Sequence, residues 1–474
     1  MNTPGLQLEM NFDKQGNRFR DCIEGGIFSL LIEHDAPDLN TSPVAAAETL
    51  LKLENAVMSI NEIPAALAIT ERQRFLNSYR SIDYAMALTQ TNRDRHLLYV
   101  SGRDSDDKEL ERICKLASAN NFCNLAAVSG NAFPGENVKN GSKHFFTDSV
   151  NILHDNMGGK RIYPGCVVNP NKVAPYPMLA QMFKLVKKIN FNAKFAVVQT
   201  NWDMAKLQAL RWYLFSRNYN VPLIARLFLL TPELIDQIQA GKIPGVAFPF
   251  EMHSYLKQEL SVSRNQFDAA QWRRLELQAA GCHFLGYSAI QLAGADTPDR
   301  ARIAAKRIAR ALNEFTSFEH WVDEYKSYLA QSESSPYSGG YYFFEDLLKS
   351  QQLPPNPVRK SLKLPPLSNG KLRHFKLAHA LFSRADDKPA SRNWLLKRLL
   401  TSCRKCKKCQ LPNNFYICPY TCPKQMLNGP CGGCSPDGRC EININNQCVF
   451  NQVAEVANYF NAGHILEDKY LTKE

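Results

Sequence analysis

The sequence lacks any uninterrupted apolar run close to the eighteen or so residues that a membrane-spanning helix needs. Its first fifteen residues also lack the basic start, apolar centre and small-residue cleavage site of a secretory signal. Hydrophobic residues make up 45% of the 474 residues, and charged residues make up 22%. We therefore expect a soluble, cytoplasmic globular protein of two or three domains, without a membrane partner.

Acidic residues are scarce in one part of the chain. Residues 356–409 contain fifteen Lys or Arg and two Asp, a net charge of +13, whereas the whole chain carries +12. The basic character therefore belongs to one connecting region. Its aromatic residues, Phe375, Phe382 and Trp394, are too few for a nucleic-acid surface. A solvated linker and helix face is the first interpretation, and a docking site for an acidic partner or a phosphate-bearing ligand is the second.

Cysteine is also unevenly distributed. Five of the fourteen cysteines occur singly in the first 400 residues, where a small buried thiol is the default interpretation: Cys22, Cys114, Cys123, Cys166 and Cys282. The other nine lie within 46 residues: Cys403, Cys406, Cys409, Cys418, Cys422, Cys431, Cys434, Cys440 and Cys448. In a reducing cytosol, this density predicts metal binding rather than disulfides.

Short apolar runs alternate with helical patterns through the first 330 residues. The eight runs lie at 27–33, 65–69, 96–101, 123–129, 161–168, 194–199, 221–230 and 283–290. Eight such units predict an α/β fold, a (β/α)₈ TIM barrel over residues 1–330. Helices are expected after the Ser105–Asp107 cap and at 176–189 and 202–215.

The rest of the chain differs in composition. Residues 331–370 are rich in Pro and predict a basic linker or arm. Residues 371–474 then form a Cys-rich metal-binding domain with one helix near 393–400. Its Pro, Gly and Asn content argues against an apolar core, so we expect metal to hold it together.

Polar residues at the carboxyl ends of barrel strands are the first candidates for an active site. Glu33 closes the first strand, residues 129–131 close the fourth and Gln199 closes the sixth, so all should face one cavity. Partial burial would raise the pKa of Glu33 toward a range useful to a general acid, although a capping or salt-bridged Glu could occupy the same position. Gln199 could bind a heterocycle or loop backbone, and Gly130 could allow close ligand approach or a plain turn.

Several motifs occur in the order and spacing of a known family. SLLIEHDAP, AITER, HLLYVSGRD, DKEL, AAVSGNAFPG, FTDSV, KKINFNAKFAVVQT and IPGVAFP resemble the methylenetetrahydrofolate reductase family over roughly residues 20–320. CPYTCPKQMLNGPCGGCSPDGRCE resembles the Cys-rich C-terminal domain of some reductase-like members. The resemblance implies flavin-dependent reduction of 5,10-methylenetetrahydrofolate to 5-methyltetrahydrofolate, in one-carbon metabolism and methionine biosynthesis.

The resemblance also implies residue roles. Glu33 matches the catalytic acid, which would protonate the methylene-bridged folate so that its ring opens to an iminium ion able to accept hydride, and Gln199 matches the residue that binds the pterin. FAD contacts match at Thr70, His96, Gly130 and Lys188, with Phe145 a looser match. Asn131 stands in the cofactor site where the family usually has Asp. Losing that charge should ease formation of the reduced, anionic flavin and weaken support for a cationic folate.

The metal and the electron donor stay open. Thiolates suit either zinc or iron–sulfur clusters, and the spacing decides neither the metal nor the ligand pairing. NAD(P)H is the donor implied by the family, and a reduced ferredoxin or another redox partner protein is the donor if the metal is iron–sulfur. A homo-oligomer is expected. The alternative function is a non-catalytic or electron-transfer subunit that uses the barrel as a scaffold in a reductase complex.

Overall fold

The protein is described by a computed structural model that covers residues 16–71, 77–132, 144–155, 161–200, 202–331, 340–355, 357, 366–383 and 394–472. Its strands are β1 Ser29–Asp35, β2 Ala65–Thr70, β3 Leu97–Ser101, β4 Asn124–Val128, β5 Tyr163–Val168, β6 Phe195–Val198, β7 Leu223–Phe228 and β8 Ala289–Ala293.

The helices of the first 331 residues are α1 Arg18–Glu24, α2 Pro43–Met58, α3 Ser81–Ala85, α4 Asp107–Ala119, α5 Ser149–Asp155, α6 Pro175–Asn190, α7 Met204–Phe215, α8 Pro232–Gln239, α9 Phe250–Val262, α10 Arg264–Phe284, α11 Pro298–Glu314 and α12 Phe318–Gln331. Those that follow are α13 Asn369–Phe382, α14 Trp394–Thr401, α15 Val449–Tyr459 and α16 Gly463–Asp468. In the part of the chain that is described, no helix combines the length and the apolar character that crossing a membrane requires.

The eight strands form a closed parallel barrel. Each strand pairs with the next along the chain, and β8 closes the circle by pairing with β1, with Ala289 opposite Ser29. The predicted (β/α)₈ TIM barrel is therefore confirmed. Helix α4 begins at the predicted cap, since the Asp106 side chain accepts a hydrogen bond from the backbone N–H of Glu109.

The eighth predicted strand was misplaced. The run at 283–290 was expected to form it, but residues 283 and 284 end α10, and β8 begins at Ala289. Gly286, with φ +77°, ends the helix, and the backbone N–H of Tyr287 donates to the carbonyl of Cys282. An apolar last turn of a helix and the start of a buried strand have similar compositions, so the apolar run did not separate them.

Alternate residues of each strand point into the barrel. At the amino-terminal end of the strands, α1 plugs the interior: the Phe19 ring lies 5.3 Å from the Phe195 ring and 6.4 Å from the Tyr163 ring, measured between centroids. The middle of the barrel is filled by small and aliphatic side chains such as Ala68 and Val197. Polar side chains are left for the carboxyl-terminal end, where a site can form.

The C-terminal region packs against the barrel. Phe450 and Val453 of α15 belong to the same buried cluster as Met182 and Phe183 of α6. Glu467 of α16 forms two hydrogen bonds of 2.5 Å with Arg217. The expectation that this region has no apolar core was wrong, because it shares the core of the barrel. The domain boundaries at 330 and 370 stay a prediction, since much of the linker lies outside the described residues.

Candidate functional site

A cavity of about 500 Å³ opens at the carboxyl-terminal ends of the barrel strands. This volume lies within the range of small-molecule and cofactor sites. Six of the residues predicted from the sequence share its wall: Glu33, Thr70, Gly130, Asn131, Lys188 and Gln199. The expectation that the ends of strands 1, 4 and 6 face one cavity agrees with this geometry.

Glu33 is buried at the floor of the cavity. Arg226 holds both of its carboxylate oxygens, with the Nε donating over 2.6 Å, and the Gln291 amide donates over 2.6 Å. Burial lowers the pKa of Arg226, but the charge and the hydrogen bond of Glu33, together with the smaller effects of Tyr99 and Asp35, outweigh burial and leave that pKa above its usual value. Every one of these neighbours donates to Glu33. The salt-bridged form of this Glu, an alternative left open by the sequence, is the one the structure contains.

Arg226 and Gln291 were missed by the sequence analysis. Arg226 lies within the apolar strand β7 and Gln291 within β8, on the alternation that points inward. The Tyr99 hydroxyl donates to Gln291 over 2.7 Å and extends the network. The sequence did contain a signal for Arg226, because a charged residue inside an otherwise apolar barrel strand needs a buried partner. The sequence could not tell which carboxylate that partner is.

Gln199 is tied to the same network. Its side-chain oxygen accepts a hydrogen bond from Arg226 Nη1 over 2.8 Å and another from the backbone N–H of Thr200 over 3.0 Å. Gln199 lines the cavity, as a ligand-binding residue would, and it also accepts a hydrogen bond from the backbone of its own loop. The structure is therefore compatible with both interpretations made from the sequence. Arg226 therefore donates hydrogen bonds to both the candidate acid Glu33 and the candidate pterin-binding residue Gln199.

The turn after β4 needs glycine. Gly130 has φ +88°, and a Cβ there would lie 2.6 Å from the Cβ of Arg103 and 2.7 Å from the Ser101 hydroxyl. The next carbonyl, that of Asn131, accepts a hydrogen bond from Arg103. The Gly130 carbonyl accepts one from Lys424 Nζ over 2.7 Å. Two cations therefore surround the turn in which Asn131 replaces the acidic residue of the resembled family.

Lys188 reaches the cavity from α6. Its Nζ donates to the carbonyl of Val167 over 2.7 Å, and burial lowers its pKa to about 8. The preceding Lys187 is buried as well, and its pKa falls to about 7 for the same reason. An amine with a pKa close to neutrality can hold or release a proton at working pH.

Two predicted flavin contacts are not part of the cavity. His96 is fully buried just before β3, at the opposite end of the strands, where its Nδ1 accepts from the backbone of Leu67 and its Nε2 lies 3.3 Å from Glu54. Phe145 is 46% exposed and lies away from the cavity wall. The structure therefore does not support a ligand contact for either residue. Thr70 does line the cavity, and its hydroxyl donates to Asp35 over 3.0 Å.

The C-terminal segment supplies one wall of the cavity. Residues 430–433, the last four residues of the NGPCGG motif, lie across the mouth of the barrel. Asn169 donates to the carbonyl of Gly432 over 2.8 Å, and Lys184 donates to that of Gly429 over 3.2 Å. Gly432 has φ +92°, a conformation that other residues rarely adopt. Sequence analysis had assigned this motif to metal binding alone.

The nine clustered cysteines separate into two groups whose thiols influence one another electrostatically. Group A contains Cys403, Cys406, Cys409 and Cys418. Group B contains Cys422, Cys431, Cys434, Cys440 and Cys448. Thiol chemistry suits zinc or iron. Across the described ranges, however, no three metal-binding side chains converge as ligands of one ion. Zinc or iron–sulfur binding therefore stays a prediction.

Solved structures match this chain only at low identity and with TM-scores below 0.5. A protein from Clostridium thermocellum that binds two copies of 5-methyl-5,6,7,8-tetrahydrofolic acid is 14% identical, with a TM-score of 0.47, over 62% of this chain and 99% of its own. The 7,8-dihydropteroate synthase of Vibrio fischeri ES114 is 11% identical, with a TM-score of 0.34, over 61% of this chain and 95% of its own.

Sequence comparison is more specific for the C-terminal region. No curated protein sequence matches the chain. Residues 383–473 match the family model described as "Methylene-tetrahydrofolate reductase C terminal". The match contains all nine clustered cysteines and the loop at the mouth of the barrel. The resemblance recognised in this segment is thereby confirmed, since residues 383–473 are similar to the C-terminal domain of methylene-tetrahydrofolate reductases.

Proposed function

We propose that this chain is a flavin-dependent reductase that converts 5,10-methylenetetrahydrofolate to 5-methyltetrahydrofolate. The observation that carries the proposal is one cavity lined by Glu33, Lys188 and Gln199 and closed by residues 430–433. The closing residues come from the segment that matches the reductase C-terminal family. The barrel and the C-terminal domain therefore contribute to the same site.

The cavity wall suits a flat cofactor. Gly130 shapes this wall, because its positive φ and the close packing of Arg103 and Ser101 exclude a side chain from the turn. The Lys188 amine provides a cation on the same wall. Residues 129–131 and Lys188 would hold FAD, which supplies a hydride when it is bound and reduced. The chain itself would orient the two rings, exclude water and manage one proton.

Glu33 would supply that proton, but only after a rearrangement. A protonated carboxyl needs an acceptor, whereas Arg226 and Gln291 both present donors to Glu33. Delivery of a proton to the folate therefore requires Glu33 to separate from Arg226. The protonated acid then gives its proton to the bridging nitrogen whose bond to the methylene carbon breaks.

Gln199 offers a way to couple this separation to substrate binding. Its amide oxygen accepts from Arg226 in the ligand-free arrangement. A pterin ring that takes Gln199 as its hydrogen-bond partner would remove one of the contacts that hold Arg226 in place. Glu33 would then be released only when the substrate is in position, and it would take up a proton from solvent at that point and pass it to the folate.

A second function is favoured by the same ion pair. A barrel that keeps Glu33 permanently bound to Arg226 could bind folate without catalysing its reduction. In that case the chain would be a scaffold or electron-transfer subunit beside an active reductase. The two functions differ in whether Glu33 is ever free to act, and they make different predictions about turnover.

The test is an anaerobic measurement on the purified full chain. Its ultraviolet–visible spectrum is recorded, and reduction of 5,10-methylenetetrahydrofolate is followed with dithionite as the electron source. Flavin bands together with 5-methyltetrahydrofolate formation support the reductase. A protein that binds the folate but carries no flavin and yields no product overturns it and favours the scaffold.

A further inference from the structure

Helices α13 and α14 present an unusual surface. On α14, Leu395 is 68% exposed and Leu399 is 83% exposed, whereas Lys397 is only 4% exposed. Surface helices normally bury their leucines and expose their lysines. The Lys397 ammonium instead faces inward, 5.9 Å from the centroid of the Phe382 ring. The apolar side of α14 is therefore turned toward solvent.

The neighbouring helix α13 also exposes apolar side chains. Leu377 and Leu381 of α13 are exposed, and the imidazole of His374 contacts the carbonyl of Leu400, which joins the two helices. Leu396 of α14 is a fifth exposed leucine. Exposed leucines that occur singly need no explanation, but five of them on two adjoining helices do. We call α13, α14 and residues 402–408 the basic apolar face.

Positive charge surrounds these leucines. Residues 366–383 and 394–409 contain nine Lys or Arg and no Asp or Glu. One of them, Lys371, pairs with Glu455 of α15. Arg398 and Lys405 lie over the Trp394 ring at 5.3 Å and 5.4 Å. Such a surface attracts an anionic partner and repels a second copy of itself.

A thiol-lined hollow lies beside the face. A cavity of about 380 Å³ is bordered by His374 of α13 and by Leu400 and Thr401 at the end of α14. Cysteines of both groups line its walls: Cys418, Cys422, Cys440 and Cys448. A protruding protein loop can enter a hollow of this kind, whereas a flat lipid surface cannot. The shape therefore favours a protein partner over an anionic membrane.

We propose that the basic apolar face is the docking surface for a small acidic electron-carrier protein. The leucines would form the dry centre of the interface and the surrounding Lys and Arg would steer the partner. The proposal rests on the reductase function, since a reductase needs an electron source, and it selects an acidic protein carrier as that source. The thiol-lined hollow then marks where the carrier approaches the chain.

The test uses the full chain and an acidic bacterial-type ferredoxin as the probe. Binding is measured by calorimetry at low and at high ionic strength for the wild type, Leu395→Ser/Leu399→Ser and Arg373→Glu/Lys376→Glu. Each double variant should weaken binding roughly tenfold or more, and salt should weaken binding to the wild type. Ile303→Ser, which changes a 44% exposed residue on barrel helix α11, should bind like the wild type.

Other outcomes overturn the docking proposal. These are absence of ferredoxin binding, equal binding by all variants, or equal loss with Ile303→Ser. Leucine-dependent binding to phosphatidylglycerol vesicles would identify a lipid surface instead, and leucine-dependent self-association would identify a second copy. Flavin content and dithionite-driven folate reduction are measured on the same samples. Those readouts test the reductase function separately, and the leucine variants should leave both unchanged.

Discussion

The buried cations at the floor and at the mouth of the barrel cavity find partners in different parts of the chain. On the floor, Arg226 is paired with the carboxylate of Glu33, and both come from strands of the barrel. At the mouth, Lys172, Lys184 and Lys424 each donate to a backbone carbonyl across the seam between the barrel and the C-terminal region. The floor is built entirely from residues of the barrel. The mouth exists only when both parts of the chain are docked.

Substitutions at the floor and at the seam should therefore affect different properties of the protein. A change on the floor should affect the chemistry while the seam stays closed, because β1, β7 and β8 position the network without help from residues beyond 331. A change at the seam should affect stability and cavity closure first. Variants of the floor and of the seam should therefore differ in whether turnover or stability is lost.

The largest effect is expected from Glu33→Gln. Removing the acid should slow reduction of methylenetetrahydrofolate by about 10²- to 10⁴-fold, because the iminium ion then forms without proton transfer. Reduction of the flavin should stay nearly unchanged. Stopped-flow measurement of the two half-reactions separates these steps. Glu54→Gln, which alters a buried carboxylate paired with His96 away from the cavity, is the control. Equal slowing of both half-reactions would remove Glu33 from the proton-transfer role.

At the seam, Lys424→Met should destabilise the protein. Lys424 is buried, pairs with Glu441 and binds the Gly130 carbonyl, so its loss leaves a buried carboxylate without its cation. Breaking such a pair costs about 3 to 5 kcal/mol. Urea unfolding provides the measurement. Lys257→Met, which breaks the exposed pair with Asp236, should change stability by less than about 1 kcal/mol. Similar losses in the two variants would mean that the buried seam is no stronger than a surface pair.

The shared core can be tested with Phe450→Ala. Removing this buried ring should cost about 3 to 5 kcal/mol. Because Phe450 and Phe183 of α6 belong to one cluster, both the barrel and the C-terminal region should unfold at lower urea in a single transition. Phe382→Ala is the matched control, since Phe382 belongs to a separate cluster of C-terminal residues. Two resolved transitions in the wild type would contradict the idea of a common core.

A smaller effect is expected from pH. Buried Lys187 and Lys188 have pKa values of about 7 and about 8, whereas unfolded lysines titrate near 10.4. Between those values the unfolded chain binds more protons than the folded chain, so the free energy of unfolding should rise with pH. Below about pH 7 both states are protonated and this gain is absent.

Urea unfolding at several pH values from about 6 to about 10 checks this expectation. Lys187→Met/Lys188→Met should flatten the rise. Lys115→Met, on the exposed side of α4, should preserve it. A wild-type profile that falls across this range would contradict the burial of the two amines.

The candidate site was partly readable from the sequence for a physical reason. Parallel strands bring their carboxyl ends to one rim, so Glu33, the turn at Gly130 and Gln199 could be assigned to one cavity from strand order alone. His96, which only the family resemblance assigned to the cofactor site, precedes its strand and lies at the opposite end of the barrel. The partner of Glu33 could not be predicted, because Arg226 is 193 positions away and only barrel closure brings the two together.

By itself, the amino-acid sequence determined the eightfold alternation of apolar runs and helices, the turn glycine at 130 and the concentration of thiols near the end of the chain. These are local properties, set by side-chain periodicity and backbone freedom. Tertiary structure alone decided that Glu33 is bound by Arg226 and that residues 430–433 close the cavity. It also decided that α14 exposes its leucines. Each depends on which distant surfaces meet, and no local pattern encodes that meeting.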